Sequence, residues 1–286
     1  MASSPCFIQI ESKNIWYLSN VCVRRGHRRR AIEHAFRIPI RMTTYAFANI
    51  LFSGRCNLRC PYCIGQSQPL QAMPDNLQSF PLKGLERFIE EVQRHGISQI
   101  SLTGTNTDPQ LYAHEVQLID YLRQAVPGVK ISLHTNGRRV LHNLEVFNRY
   151  DRATISLPSF IPETCRKMTG SARVLELGKI VEGASIPIKI STLITGHNIC
   201  EIPAILARCR EVGIHRMVLR KLYGDPREWN LFPDHTPIRY FGGNPVYELD
   251  GMEVTIWDFS ASQVRCLNLF SDGTISQEYQ LTRRTQ

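Results

Sequence analysis

The chain has 286 residues, 43% of them hydrophobic and 21% charged, with a formal net charge of +9. This balance excludes disorder, collagen-like or coiled-coil character for the bulk of the chain, and the length suits about two domains or one α/β barrel. No apolar run approaches the roughly 18 residues of a membrane span. Residues 1–14 lack a basic region followed by an apolar stretch, so no secretory signal is expected.

In chain order, Phe7 to Val23 reads as β-like, and a basic stretch follows it. Arg24, Arg25, Arg28, Arg29, Arg30, Arg37 and Arg41 stand there against Glu33 alone. Such a stretch is either a solvated arm or a site for anionic partners. Tyr45 to Phe52 is an apolar, β-rich run that leads into a cysteine-rich loop. Leu85, Phe88, Ile89 and Val92 fall on one helical face, and Gly96 stops that helix. Strands are then expected at Ile97 to Thr103, Val129 to His134, Ala153 to Leu157, Ile186 to Ile194 and Ile214 to Arg220. Helices are expected at Pro109 to Val126, Val140 to Tyr150, Glu163 to Gly183 with a break at Gly170, and Glu201 to Val212. Six strands alternating with helices mean repeated βα units and a parallel sheet. Pro226 to Pro245 reads as loop. Tyr247 to Phe259 and Cys266 to Tyr279, with a turn at Asp272-Gly273, read as antiparallel β additions.

Nine cysteines, an odd number, argue against a disulfide scaffold and for a reducing, cytoplasmic interior. Cys6, Cys22, Cys165, Cys200, Cys209 and Cys266 are scattered, as small buried residues are. Cys56, Cys60 and Cys63 are clustered as C-x3-C-x2-C. Zinc sites usually take four protein ligands. Three soft thiolates without a fourth suit a [4Fe–4S] cluster with one iron left open to a small molecule.

The run Cys56-Asn57-Leu58-Arg59-Cys60-Pro61-Tyr62-Cys63 resembles the cluster motif of the radical S-adenosylmethionine (radical SAM) superfamily. The resemblance implies an α/β fold, a (β/α)6 partial barrel with short N- and C-terminal β-rich additions. It implies one [4Fe–4S] cluster on Cys56, Cys60 and Cys63, with S-adenosylmethionine (SAM) on the open iron and Tyr62 beside its adenine. Gly104, Thr105, Asn106 and Thr107 stand where the family's "GGE" segment binds the SAM amino group, although the usual Gly-Glu pair is absent. The structural alternative there is an Asp108 N-cap with Pro109 at the first helical position. Thr135 and Asn136 resemble the "TNG" turn facing the ribose. Ser156, Ser191, Thr192 and Arg220 are further polar strand-end candidates, and Arg220 could clamp an anion. No residue of this sequence is assigned a catalytic role.

The domains expected are an N-terminal β-rich, basic extension over 1–44, a core over 45–222 and a C-terminal loop and β-rich extension over 223–286. The resemblance implies reductive cleavage of SAM to a 5′-deoxyadenosyl radical that abstracts hydrogen from a substrate. The basic stretch, Arg220 and Lys221 favour an anionic small molecule, a nucleotide or phosphorylated metabolite. An electron donor such as flavodoxin or ferredoxin is a further expected partner, and a membrane is not. Two alternatives stay open. One is radical modification of RNA or a peptide, with residues 20–42 as docking arm and strong salt dependence. The other is a non-catalytic iron–sulfur or zinc protein, which would not cleave SAM.

Overall fold

The computed structural model describes residues 45–66 and 72–277. The β-like stretch and the arginine-rich arm expected before residue 45 lie outside them. Six strands form the core series: β1 (Phe47–Phe52), β2 (Gln99–Gly104), β3 (Lys130–Thr135), β4 (Arg152–Ser156), β5 (Ile188–Leu193) and β6 (Arg216–Arg220). They alternate with α1 (Leu85–Arg94), α2 (Glu115–Ala125), α3 (Leu144–Phe147), α4 (Pro162–Thr169), α5 (Leu177–Gly183) and α6 (Ile202–Glu211). The C-terminal strands are β7 (Arg239–Phe241), β8 (Asn244–Leu249), β9 (Met252–Trp257), β10 (Cys266–Leu269) and β11 (Ile275–Ser276).

All belong to one sheet in the order β11-β10-β1-β2-β3-β4-β5-β6-β9-β8-β7. The expected partial barrel is therefore present, and it is open. The additions differ from the sequence reading. Tyr247 to Phe259 is not one strand, because Asp250 (φ 48°) and Gly251 (φ 84°) take left-handed conformations and fold it into the β8–β9 hairpin. Each C-terminal hairpin is antiparallel internally. Yet β9 docks parallel on β6, and β10 docks parallel on β1. Eight consecutive parallel strands result. Arg239–Phe241, inside the expected loop, is the β7 edge strand.

Two of the expected helices are shorter. Pro109–Leu111 is a single tight turn capped by Asp108, and α2 begins only at Glu115. Val140–His142 is another tight turn before the four-residue α3. Gly170 (φ 75°) closes α4 and separates it from α5, at the break the sequence suggested.

The alternation of side chains along each strand makes two unlike faces. Ile50, Leu102, Leu133 and Ala153 are level across neighbouring strands, and Ile155, Ile190, Met217 and Val254 continue the same face. All are buried against the helices, where Leu85, Phe88, Ile89 and Val92 of α1 enter the same core. Each such fully buried Val, Leu, Ile, Phe or Met side chain contributes roughly 1.5–3 kcal/mol. The opposite, concave face carries Asn49, Ser101, Ser132, His134, Thr154, Lys189, Ser191 and Arg220. Its buried amides and hydroxyls pair across strands: Asn49 Nδ2 donates to Asn268 Oδ1 at 2.8 Å, and the Ser101 and Ser132 hydroxyls meet at 2.6 Å. Among the described residues no helix is long and apolar enough to cross a membrane.

Candidate functional site

The cysteine loop leaves the C-terminal end of β1, where parallel sheets gather their ligands. The end of β2 is stitched to it. Thr105 Oγ1 donates to the Phe52 carbonyl at 2.9 Å, and Gly54 N donates to Asn106 Oδ1 at 3.0 Å. Thr107 Oγ1 donates to the Arg55 carbonyl at 3.2 Å. A Cβ on Gly104 would lie 1.8 Å from the Thr107 carbonyl oxygen, so only glycine fits this turn. Gly65, which the sequence reading passed over, is as confined: its Cβ would lie 2.3 Å from the Thr105 carbonyl oxygen. The last turn of the cysteine loop thus rests directly on the β2 end.

Asp108 is the second tie. It caps its own turn by accepting from Gln110 N at 3.0 Å, as the structural alternative held. It also accepts from Asn136 N at 2.6 Å and from Thr135 Oγ1 at 2.9 Å. Burial raises its pKa against these hydrogen bonds, which lower it. Thr135 is therefore turned inward, its hydroxyl spent on Asp108. Asn136 does reach the loop: its Nδ2 donates to Asn57 Oδ1 at 2.7 Å and lies 3.9 Å from Cys56 Sγ. Sequence reasoning missed the Asp108 bridge because Asp-Pro at a helix start already has a local explanation.

Cys56, Cys60 and Cys63 are free and half-buried. Leu58 N donates to Cys56 Sγ at 3.4 Å, and Cys63 Sγ lies 4.0 Å from the Thr105 carbonyl oxygen. Burial and then the Cys63 and Cys56 thiols push the Cys60 thiol up to about 12. Burial raises the Cys56 thiol too. Burial and neighbouring thiols oppose ionisation of Cys56 and Cys60, and a cationic iron centre would offset this by deprotonating its ligands. Among the described residues no three His, Cys, Asp or Glu side chains converge tightly enough for a single ion. A cluster instead gives each thiolate its own iron. Arg138 interacts electrostatically with Cys60 and Cys165, and its Nη1 is buried without a hydrogen-bond partner.

The Tyr62 ring lies 6.1 Å from that of His197, beyond β5. Ser156 ends β4 half-buried on the concave face, level with Ser191. Thr192 is not brought there. It shares the helix-facing side with Leu219, and its hydroxyl donates to the Leu157 carbonyl at 2.7 Å. Arg220 ends β6 on the concave face. It acts electrostatically on two groups the sequence reading gave no role, His134 and Lys189. Burial, then Lys189, Arg220 and Arg152, hold His134 down at about 3, so it is neutral at physiological pH. Burial, then Arg216, Arg152 and Arg220, lower Lys189 to about 8, with Glu253 opposing. The signal for Lys189 was present: a lysine inside Ile188-Lys189-Ile190 cannot belong to the apolar face.

Of the scattered cysteines among the described residues, Cys165 and Cys209 are buried, Cys266 is half-buried and Cys200 is exposed, against the expectation that all are buried. A cavity of about 840 Å³ opens away from the cysteine loop, along α2 between Phe80, Tyr112, Glu115 and Arg139.

The family model of the radical SAM superfamily matches residues 50–209, more than half of the chain. The chain is 30% identical over 179 residues to a GTP 3′,8-cyclase of Syntrophomonas wolfei, covering 59% of this chain and 53% of that one. It is 22% identical over 222 residues to a probable GTP 3′,8-cyclase of Methanococcus maripaludis, covering 70% and 72%. It is 26% identical over 196 residues to molybdenum cofactor biosynthesis protein 1 of Bos taurus, covering 65% and 30%. The chain thus spans about half the length of the first of these relatives. Among solved structures, Streptococcus suis SuiB bound to the precursor peptide SuiA superposes with a TM-score of 0.51 at 17% identity. It covers 63% of this chain and 40% of SuiB, a likeness of fold.

Proposed function

The chain belongs to the radical SAM superfamily, and we propose that it directs the radical chemistry of that family at an anionic nucleotide held inside the barrel. Its cofactors are a [4Fe–4S] cluster and SAM, which when bound supply an electron and, by reductive cleavage, a hydrogen-abstracting radical. In this reading Cys56, Cys60 and Cys63 hold the cluster. Gly65 and Gly104 let the loop and the β2 end approach closely enough to share one ligand. Asn106 and Thr107 fix the loop backbone, while Asp108 and Thr135 hold the turn that presents Asn136 beside Cys56. Tyr62 and Ser156 face the space SAM would fill.

One observation carries the substrate class. The concave face holds Lys189 and Arg220 near a neutral His134, and burial first, then the neighbouring Arg216, Arg152 and Arg220, lower Lys189. Half-buried cations crowded together repel one another until an anion enters between them. Several relatives of this chain are named GTP 3′,8-cyclases, and a nucleoside triphosphate has the required charge. The electron would come from a small reductant such as flavodoxin or ferredoxin.

The test is 5′-deoxyadenosine production by the anaerobically reconstituted chain with dithionite and SAM. The wild type should produce it and Cys60→Ala should not. GTP should raise the rate, and Lys189→Met should abolish that increase. Failure of the cluster-loaded chain to cleave SAM with or without nucleotide would overturn the radical reading. Cleavage indifferent to every nucleotide would overturn the substrate class alone.

A further inference from the structure

Trp257 ends β9 on the same face as Arg220, its register partner on β6. That places it at the C-terminal rim of the parallel strands, the end that carries the cysteine loop. The Phe241 ring lies 6.1 Å from it at 43°, and the Phe259 ring lies 6.1 Å from it at 79°. Phe241 and Phe259 are 47% and 39% exposed, and Tyr240 beside them is 68% exposed. These rings are not part of the helix-facing core. They are contributed by the C-terminal hairpin, and the backbone of Lys221 ties that hairpin in by donating to the Trp257 carbonyl at 2.8 Å.

An aromatic wall next to a cationic strand end suits a ligand with one flat, apolar ring and one charged tail. Lys189 lies four residues before Leu193, the register partner of Arg220. That is about 13 Å along the strand. A ligand reaching from the rim towards Lys189 must carry an extended polyanion rather than a compact one. Ring at the rim and phosphates inward is the orientation this spacing selects.

We propose that Trp257, braced by Phe241 and Phe259, is the stacking platform for the heteroaromatic base of the substrate, a nucleotide whose phosphates reach Arg220 and Lys189. The assignment rests on the nucleotide reading above and adds to it where the base sits. Phe241 and Phe259 fix the indole plane, and Trp257 provides the π-face. Stacking tolerates different bases, so this element sets affinity for a ring more than choice among rings.

The test is calorimetric titration of the cluster-loaded full chain, with SAM present, using GTP and inorganic tripolyphosphate as separate probes. Both should bind the wild type, GTP more tightly. Trp257→Leu should weaken GTP about tenfold or more while leaving tripolyphosphate within about twofold, and Trp257→Phe should restore most of the loss. Unchanged GTP affinity in Trp257→Leu would overturn the platform and leave the nucleotide reading standing. Equal weakening of both probes would make Trp257 a structural support for the cationic site, and the platform would again be wrong. If the wild type binds neither probe, the nucleotide reading fails and takes the platform with it.

Discussion

The two faces of the sheet use the same strands and adjacent residues, yet they obey different rules. On the convex face Ile131, Leu133, Ile155 and Ile190 are wholly buried under helices. On the concave face Ser132, His134, Thr154 and Lys189 occupy the alternate positions. Leu51 is an apolar exception on the concave side, and it forms a small separate cluster with Phe270 and Met73. One face is therefore built for burial and the other for ligands. A strand buried on both faces would read as a continuous apolar run. These strands interrupt that run at most alternate positions, Leu51, Leu193 and Val218 excepted, which marks an interior that holds polar groups.

Neighbouring residues on opposite faces give the widest break between the two. Ile190→Ala should cost about 2–5 kcal/mol, because a fully buried side chain is deleted from a packed layer. Lys189→Met, one residue away, should leave stability equal to the wild type or above it, because it removes a half-buried cation crowded by arginines. Its effect should appear in nucleotide binding instead. Denaturant titration of both variants beside a GTP titration checks the pair. A large stability loss in Lys189→Met would mean that the concave face is structural too.

The convex side also holds the carboxyl group of Glu115, and it sharpens the contrast. Glu115 is buried at the start of α2, where it accepts from the Tyr150 hydroxyl at 2.7 Å. Burial raises its pKa from 4.5 to about 7. Between those values the folded chain keeps a proton that the unfolded chain has released. Stability contributed by this group is therefore highest below pH 4.5, falls as pH rises to about 7, and is level above. The full loss is roughly 3 kcal/mol at most. Glu115→Gln should flatten that part of the pH profile and raise stability above pH 7. Urea midpoints across pH 4 to 8 measure it, and a profile of unchanged slope would count against the assignment.

Local periodicity made the convex face easy to read. Leu85, Phe88, Ile89 and Val92 show their helix directly, and the six core strands fall where the apolar runs stand. The three cysteines are equally legible, since C-x3-C-x2-C needs no fold to be recognised. What stayed hidden depended on long-range pairing. Nothing local to Cys266–Leu269 says that it will lie parallel to β1, more than two hundred residues earlier. Asp250-Gly251 was a readable turn, but the surrounding β pattern masked it. Gly65 looks like an ordinary loop glycine until the β2 end is placed against it. Thr135 and Thr192 look like polar strand-end ligands, and only the register and hydrogen bonds show their hydroxyls spent on Asp108 and the Leu157 carbonyl.

The smallest effect is also the most specific, because it isolates one concave charge. Burial and the neighbouring Arg216, Arg152 and Arg220 lower Lys189 from 10.5 to about 8, while Glu253 raises it. Above pH 8 the free chain loses this cation, and an incoming anion must first restore the proton. GTP affinity should then be flat from pH 7 to about 8 and fall by up to tenfold per pH unit beyond, about 1.4 kcal/mol each. The arginines stay charged over this range, and His134, held at about 3, is already neutral. Neither can produce the step. Lys189→Met should bind GTP more weakly at pH 7 and show no fall above pH 8. A wild-type affinity that stays flat to pH 10 would remove Lys189 from the anion site, whatever it does for the rest of the concave face.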